Sequence, residues 1–267
     1  MEILFYIFIF FFGLTVGSFL NSIIYRLSTG APHQLLFKNE GGLSRSFCPH
    51  CQHQLSWQDL IPIFSFLILR GKCRYCQKPI SWQYPLVELA TGVIFLSVFN
   101  IHNIITTCFF FLVSCFLIII FVYDLKYYLI PDKIIYPAIA TALLYNVLYS
   151  YFILRTSDFI LNTIYAAFGA AIFFLSIVLI SRGKWMGVGD IKLAFFMGLF
   201  LGFPNILVAL FLAFFIGAII GVGLIMTGKK ALKSEVPFGP FLVAGTFMAM
   251  FWGENIINWY LNFYVGL

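Results

Sequence analysis

GVGDIKLA, Gly187 to Ala194, sets an aspartate behind two glycines at the mouth of a long apolar segment. Outward from it, the nearest comparable feature is FVYDLKYYLIPD, Phe121 to Asp132, where Asp124 stands at the end of another apolar segment. Carboxylates at the edge of hydrocarbon are expensive, so an acid kept there is a functional-site candidate. The surroundings of both stretches decide the solvent. Of the 267 residues, 62% are hydrophobic and only 10% are charged. A soluble domain of this length has too little interior for that much apolar surface, so the expectation is an all-α polytopic membrane protein.

Apolar runs of spanning or near-spanning length fall at about eight places, at roughly 17–25 residues per span. They are Ile3–Ile24, Pro85–Asn100, Ile104–Tyr123, Ile134–Leu154, Phe159–Ser181, Ile191–Phe203, Asn205–Thr227 and Phe238–Tyr260. The sixth is short and nearly fused to the seventh across Gly202 and Pro204; the alternative is one kinked or re-entrant element buried by protein. Met1 to Leu20 has no basic stretch before its apolar run and reads as a retained helix rather than a cleaved signal.

The basic residues orient these spans. With eight crossings and the loop after the first helix cytoplasmic, 15 of the 16 Lys and Arg residues lie inside, and only Arg155 lies outside. Seven crossings would put a basic cluster on the wrong side. The net charge of +6 is therefore a topological signal, not one for nucleic acid, which is not expected as a partner. The same topology brings Asp124 and Asp190 to the cytoplasmic boundary, Asp124 closing the third span and Asp190 opening the sixth.

The one sizeable polar region, residues 25–84, holds CPHC (Cys48, Cys51) and CRYC (Cys73, Cys76), with 21 residues between the two knuckles. Four thiolates at such spacing can enclose one tetrahedral zinc, structural because no coordination position stays open. A disulfide pair is the competing reading, and a reducing cytosol argues against it. His50 and His53 flank the first knuckle and are alternative ligands. Cys108 and Cys115, at heptad spacing in the third span, read as packing thiols. The domain reading is a first helix (1–24), a cytoplasmic zinc-binding loop (25–84) and a polytopic region (85–267) that carries both aspartates.

Six stretches in order resemble the bacterial type IV prepilin peptidases, the bifunctional leader peptidases and N-methyltransferases of the GxGD aspartyl protease type. They are GSFLNSIIYRL (Gly17–Leu27), DLIPIFSFLILRGKCRYC (Asp59–Cys76), YPLVELATG (Tyr84–Gly92), DLKYYLIPD (Asp124–Asp132), GVGDIKLA and PFGPFL (Pro237–Leu242). The resemblance implies Asp124 and Asp190 as the catalytic pair. It also implies prepilins or pseudopilins as substrates, a bacterial inner-membrane location, and S-adenosylmethionine as methyl donor for the new N-terminus. No Rossmann-type glycine fingerprint locates that donor, and its binding residues are left unassigned. Asp132 is the rival to Asp124, but a Pro-Asp pair is well explained as a helix start. Glu88 is a further intramembrane acid, a candidate for pairing with a base or for the methyl-transfer site.

Two carboxylates confined together cannot both ionise cheaply, so one keeps a proton near neutral pH. The ionised one can activate water and the protonated one can polarise the scissile carbonyl. A transporter using the aspartates as a proton or ion relay is the second reading, though it gives no reason for the cysteine loop. A non-catalytic scaffold is the third.

Overall fold

The computed structural model describes residues 2–29, 37–38, 42–43, 46–100, 103–227 and 236–265. Arg45, Lys229, Lys230 and Lys233, all counted in the charge argument, lie outside the described residues. Apart from one two-residue antiparallel pair, β1 (Phe37–Lys38) with β2 (Gly42–Leu43), and two isolated bridges, the described chain is helical. The helices are α1 (Glu2–Ser28), α2 (Phe64–Ile68), α3 (Gln83–Val98), α4 (Ile104–Tyr127), α5 (Asp132–Leu148), α6 (Asp158–Ser181), α7 (Val188–Leu201), α8 (Asn205–Met226) and α9 (Gly239–Val265). A π turn, Tyr149–Leu154, extends α5.

Every expected apolar run is a helix, but not every helix has spanning length. Six are long and apolar enough to cross a membrane: α1, α4, α5 with its π turn, α6, α8 and α9. With 16 residues α3 falls short of the hydrocarbon thickness, and with 14 residues α7 does so further. This is a multi-pass membrane protein. The sixth run is not one kinked element with the seventh. Gly202, at φ 65°, ends α7 in a conformation that favours glycine, and α8 starts at Asn205.

The chain divides into two compact units, Met1–Ile119 and Ile120–Leu267. In the first, α3 packs antiparallel on α1 through small residues. A Cβ on Gly13 would come within 2.7 Å of Gly92 Cα, and one on Gly17 within 2.7 Å of Glu88 Cα. Without a hydrophobic force between helices in lipid, such close backbone approach is what holds them. Phe95 stacks on Phe111 of α4, ring centroids 4.0 Å apart. Cys108 and Cys115 are not the buried thiols expected: Cys108 is exposed and Cys115 half-buried.

In the second unit α7 is the centre, touching α5, α6, α8 and α9. Its Leu193, Ala194, Phe196, Met197, Gly198 and Leu199 are all buried. A Cβ on Gly198 would lie 2.4 Å from Ala167 Cα, so α6 and α7 touch backbone to backbone. The last carbonyls of a helix lack intrahelical donors, a serious cost away from water. Here Asn146 of α5 supplies one, donating from Nδ2 to Leu199 O at 2.8 Å and to Thr163 Oγ1 at 3.2 Å. Asn162 of α6 takes the next groups, accepting from Phe203 N–H at 2.8 Å and donating to Phe203 O at 3.1 Å. The two asparagines thus pair one carbonyl of the last turn of α7 and both backbone groups of Phe203 in the turn that follows it.

Candidate active site

Each aspartate sits where its own sequence puts a helix end. Helix α4 stops at Tyr127 because Tyr128 turns to φ 56°, leaving Asp124 in the last turn. Helix α6 is stopped by Arg182 and Gly183, both at positive φ, and Gly183 N–H closes on Val178 O at 2.9 Å. The chain then passes through Lys184–Gly187 and starts α7 with Asp190 in its first turn.

The two carboxylates are buried, with Asp124 5% and Asp190 9% exposed, and they stand near enough to act on one another electrostatically. One backbone donor serves each. Asp190 Oδ2 accepts from Gly187 N–H at 3.2 Å. Asp124 accepts from the N–H of Gly239, the first residue of α9. Both acids therefore face a helix N-terminus, where free N–H groups and the dipole favour negative charge. Among the described residues few groups compete for them, which leaves a lone pair of the ionised acid for water and the O–H of the protonated one for a peptide carbonyl.

The two glycines of GVGD differ in what requires them. Gly187 is extended at φ −84°, a conformation open to any residue. Gly189 is small because a Cβ there would meet Ile130 at 3.2 Å. The tightest glycine beside the aspartates is Gly239 in PFGPFL, a stretch to which sequence reasoning gave no role: its Cβ would lie 2.6 Å from Asp124 Oδ2. Gly239→Ala is therefore expected to swing the Asp124 carboxylate aside and lower turnover by roughly a hundredfold without unfolding the chain. Steady-state cleavage by a variant of unchanged melting temperature measures this, and near-normal turnover would remove Gly239 from the site.

Asp132 is not part of the pair. It is the first residue of α5, largely exposed, and accepts from Lys192 Nζ at 2.6 Å. That ammonium also sits 4.9 Å from the centre of the Tyr136 ring. The ion pair ties the start of α5 to the first turn of α7, and it had a sequence signal in the lysine two residues beyond Asp190. Glu88 has no basic partner among the described residues. Its carboxylate accepts from Ile63 N–H at 2.8 Å and from the Ser18 hydroxyl.

In the first unit Cys48, Cys51, Cys73 and Cys76 converge, their four Sγ atoms within 4.8 Å of one another. The knuckles are copies. Cys48 N–H bonds to His53 O and Gln52 N–H to Cys48 O; Cys73 N–H bonds to Lys78 O and Gln77 N–H to Cys73 O, each at 2.9 Å. Gln52 and Gln77, each following its second cysteine, take the same left-handed turn at φ 59° and 58°. The sulfurs fit a tetrahedral ion: a zinc–sulfur bond of about 2.3 Å puts sulfurs about 3.8 Å apart, and Cys48 and Cys76 are 3.9 Å apart. Burial pushes the Cys48 thiol up, but the backbone N–H groups of Cys51 and His50 and the neighbouring thiols outweigh it and bring it down to about 7. His50 and His53 are not in the cluster, and the His53 ring lies against Tyr75 at 3.7 Å. Asp59 joins the module together. It accepts from Ser56 N–H and Oγ, from Arg74 Nε at 2.8 Å and from Tyr75 Oη.

With this geometry in hand, comparison with known proteins is direct. Residues 11–102 match the Bacterial Peptidase A24 N-terminal domain, and residues 111–222, which include both buried aspartates, match the Type IV leader peptidase family. The chain is 32% identical to the prepilin leader peptidase/N-methyltransferase of Aeromonas hydrophila, over 97% of this chain and 94% of the relative. The chain belongs to the type IV leader peptidase family. Similar relatives with the same description occur in Bacillus subtilis (34% identical, 97% and 98% covered) and Legionella pneumophila (33%, 95% and 93%). No solved structure matches the chain. The two matched regions separate the cysteine module and its flanking helices from the aspartate pair, so membership in this family accounts for both features, whereas a transporter accounts for one.

Proposed function

We propose that the protein is a membrane-embedded aspartyl endopeptidase that removes the leader of type IV prepilins or pseudopilins after a glycine and then N-methylates the new N-terminus. The observation that carries this reading is the meeting of Asp124 and Asp190, buried, mutually interacting and each held by one backbone N–H. The ionised carboxylate takes a proton from water as the oxygen attacks the scissile carbonyl. The protonated carboxylate donates a hydrogen bond to that carbonyl oxygen. As the tetrahedral intermediate collapses, the C–N bond breaks and a proton passes to the leaving amine, which becomes the free N-terminus.

Eight crossings, with α3 and α7 as short spans, put 15 of 16 basic residues on the cytoplasmic side of the bacterial inner membrane. The aspartates then stand at the cytoplasmic boundary, the level at which a polar leader gives way to an apolar helix. Cys48, Cys51, Cys73 and Cys76 hold a structural zinc. S-adenosylmethionine supplies the methyl group of the second step. No nucleic acid partner is required by any feature of the chain.

The test is incubation of the purified protein in liposomes with a prepilin-type substrate, with and without S-adenosylmethionine, read by mass spectrometry. The expected product lacks the leader and carries one methyl group only when the donor is present. Uncut substrate from a folded, metal-loaded preparation would refute the peptidase reading.

A further inference from the structure

We infer that the cysteine module lies in the membrane surface rather than projecting into water, with an apolar face of α2 immersed and its basic residues on anionic lipid headgroups. The face is defined by helical spacing. In α2, Phe64, Leu67 and Ile68 stand at i, i+3 and i+4 and are all exposed, Ile68 to 75%. Phe66 alone turns inward, packing on Trp82 with ring centroids 4.9 Å apart. The preceding 3₁₀ turn repeats the arrangement. Trp57, 73% exposed, and Leu60 are three apart and so eclipse one another. These side chains lie outside every spanning segment, so the lipid around the transmembrane helices does not explain them.

Depth is the independent observation. Ile63, the residue that opens α2, is hydrogen-bonded to Glu88 in the second turn of α3. It holds φ 61°, unusual for a β-branched residue, in doing so. Glu88 is level with Gly17 of α1, and Tyr84 O is level with Asn21, which donates to it at 3.1 Å. Gly17 is seven residues inside Ile24, where the apolar run of α1 ends, which is roughly 10 Å of helix. The Glu88 side chain leans back toward the start of α3, recovering about half of that. Helix α2 is thereby pinned some 5 Å below the mouth of the α1–α3 pair, close to the depth at which interfacial helices rest.

Charge complements the depth. Residues 46–84 carry four basic side chains against one acid, and the acid, Asp59, is engaged by Arg74. Arg70, Lys72 and Lys78 are exposed and have no ion-pair partner among the described residues. Tryptophan and basic residues around an apolar face are the composition of interfacial anchors, and each cation near an anionic surface adds about 1 kcal/mol.

The experiment uses the full chain in bilayers of phosphatidylcholine alone or mixed with phosphatidylglycerol, with acyl chains brominated near the headgroup. The Trp57 contribution is the difference between the emission of wild type and of Trp57→Phe. It is expected to be roughly halved by the brominated lipid and little affected by aqueous acrylamide. In unbrominated bilayers, amide exchange across residues 57–70 is expected to slow several-fold when phosphatidylglycerol is included, and Arg70→Gln/Lys72→Gln/Lys78→Gln is expected to abolish that difference. Quenching by acrylamide and not by bromine would overturn the proposal and assign the face to water or to a protein partner. Exchange that ignores lipid charge would overturn the headgroup contact. Neither readout depends on peptide cleavage, so failure here is distinct from failure of the peptidase reading.

Discussion

Asp124→Asn and Asp190→Asn are each expected to lower leader removal by at least roughly three orders of magnitude while leaving an inserted, folded protein. The amide keeps the size of the carboxyl group, and its oxygen can still accept from Gly239 N–H at position 124 or from Gly187 N–H at position 190. What it cannot do is exchange a proton with water or the leaving amine. Stability should move the other way. A buried ionisable pair costs the folded state desolvation of the one charge it carries, so replacing one carboxyl by an amide should leave the melting temperature unchanged or raise it. That opposition separates catalysis from scaffolding. Asp132→Asn is the control: its ion pair with Lys192 is exposed on the aspartate side and worth about 0–1 kcal/mol, so activity should change only a few-fold. Single-turnover cleavage and thermal melts on the three variants decide it. Near-normal cleavage by either of the first two would end the assignment of the pair.

The meeting of Asp124 and Asp190 was legible in the chain because an aspartate at the edge of an apolar run has few cheap explanations, and two such edges fell on one side of a charge-defined topology. The cysteine knuckles were legible for a similar reason: spacing alone implies convergence, and all four sulfurs do converge. Three features were not readable. The break at Gly202 was expected, but not the asparagines that support it: hydropathy does not register hydrogen bonds that Asn146 and Asn162 make to groups 53 and 41 residues away. Gly239 reaches Asp124 from more than a hundred residues downstream, so no local pattern linked PFGPFL to the site. Glu88 looked like a partner for a cation because acids in apolar helices usually need one. Its partner is a backbone N–H that only a left-handed Ile63 could present.

Removal of the metal is expected to unfold the cysteine module outright, a larger effect on stability than any single side chain in the chain should show. Across the described residues 46–82 the buried apolar residues are Cys48, Phe66 and Cys73. Burying one phenylalanine contributes about 1.5–3 kcal/mol, whereas ordering each residue costs about 1.5 kcal/mol. Local hydrogen bonds such as those of Asp59 narrow the deficit by about 1 kcal/mol apiece and do not close it. Zinc held by four thiolates supplies an apparent 10–16 kcal/mol or so, more than any other single contact in the module. Cys48→Ser or Cys73→Ser, each removing a buried ligand from one of the two matching knuckles, should reduce bound zinc from one ion per chain to near none. Limited proteolysis should then open within residues 46–82, with α4–α9 protected, and a chelator should reproduce the pattern in the wild type. Because thiolates bind the ion and thiols do not, acid should act in the same direction, protonating the four cysteines and releasing zinc as pH falls. A module that stays protease-resistant after its zinc is gone would mean that α1, α3 and the Glu88–Ile63 contact hold it without a metal, and the structural role of the ion would have to be given up.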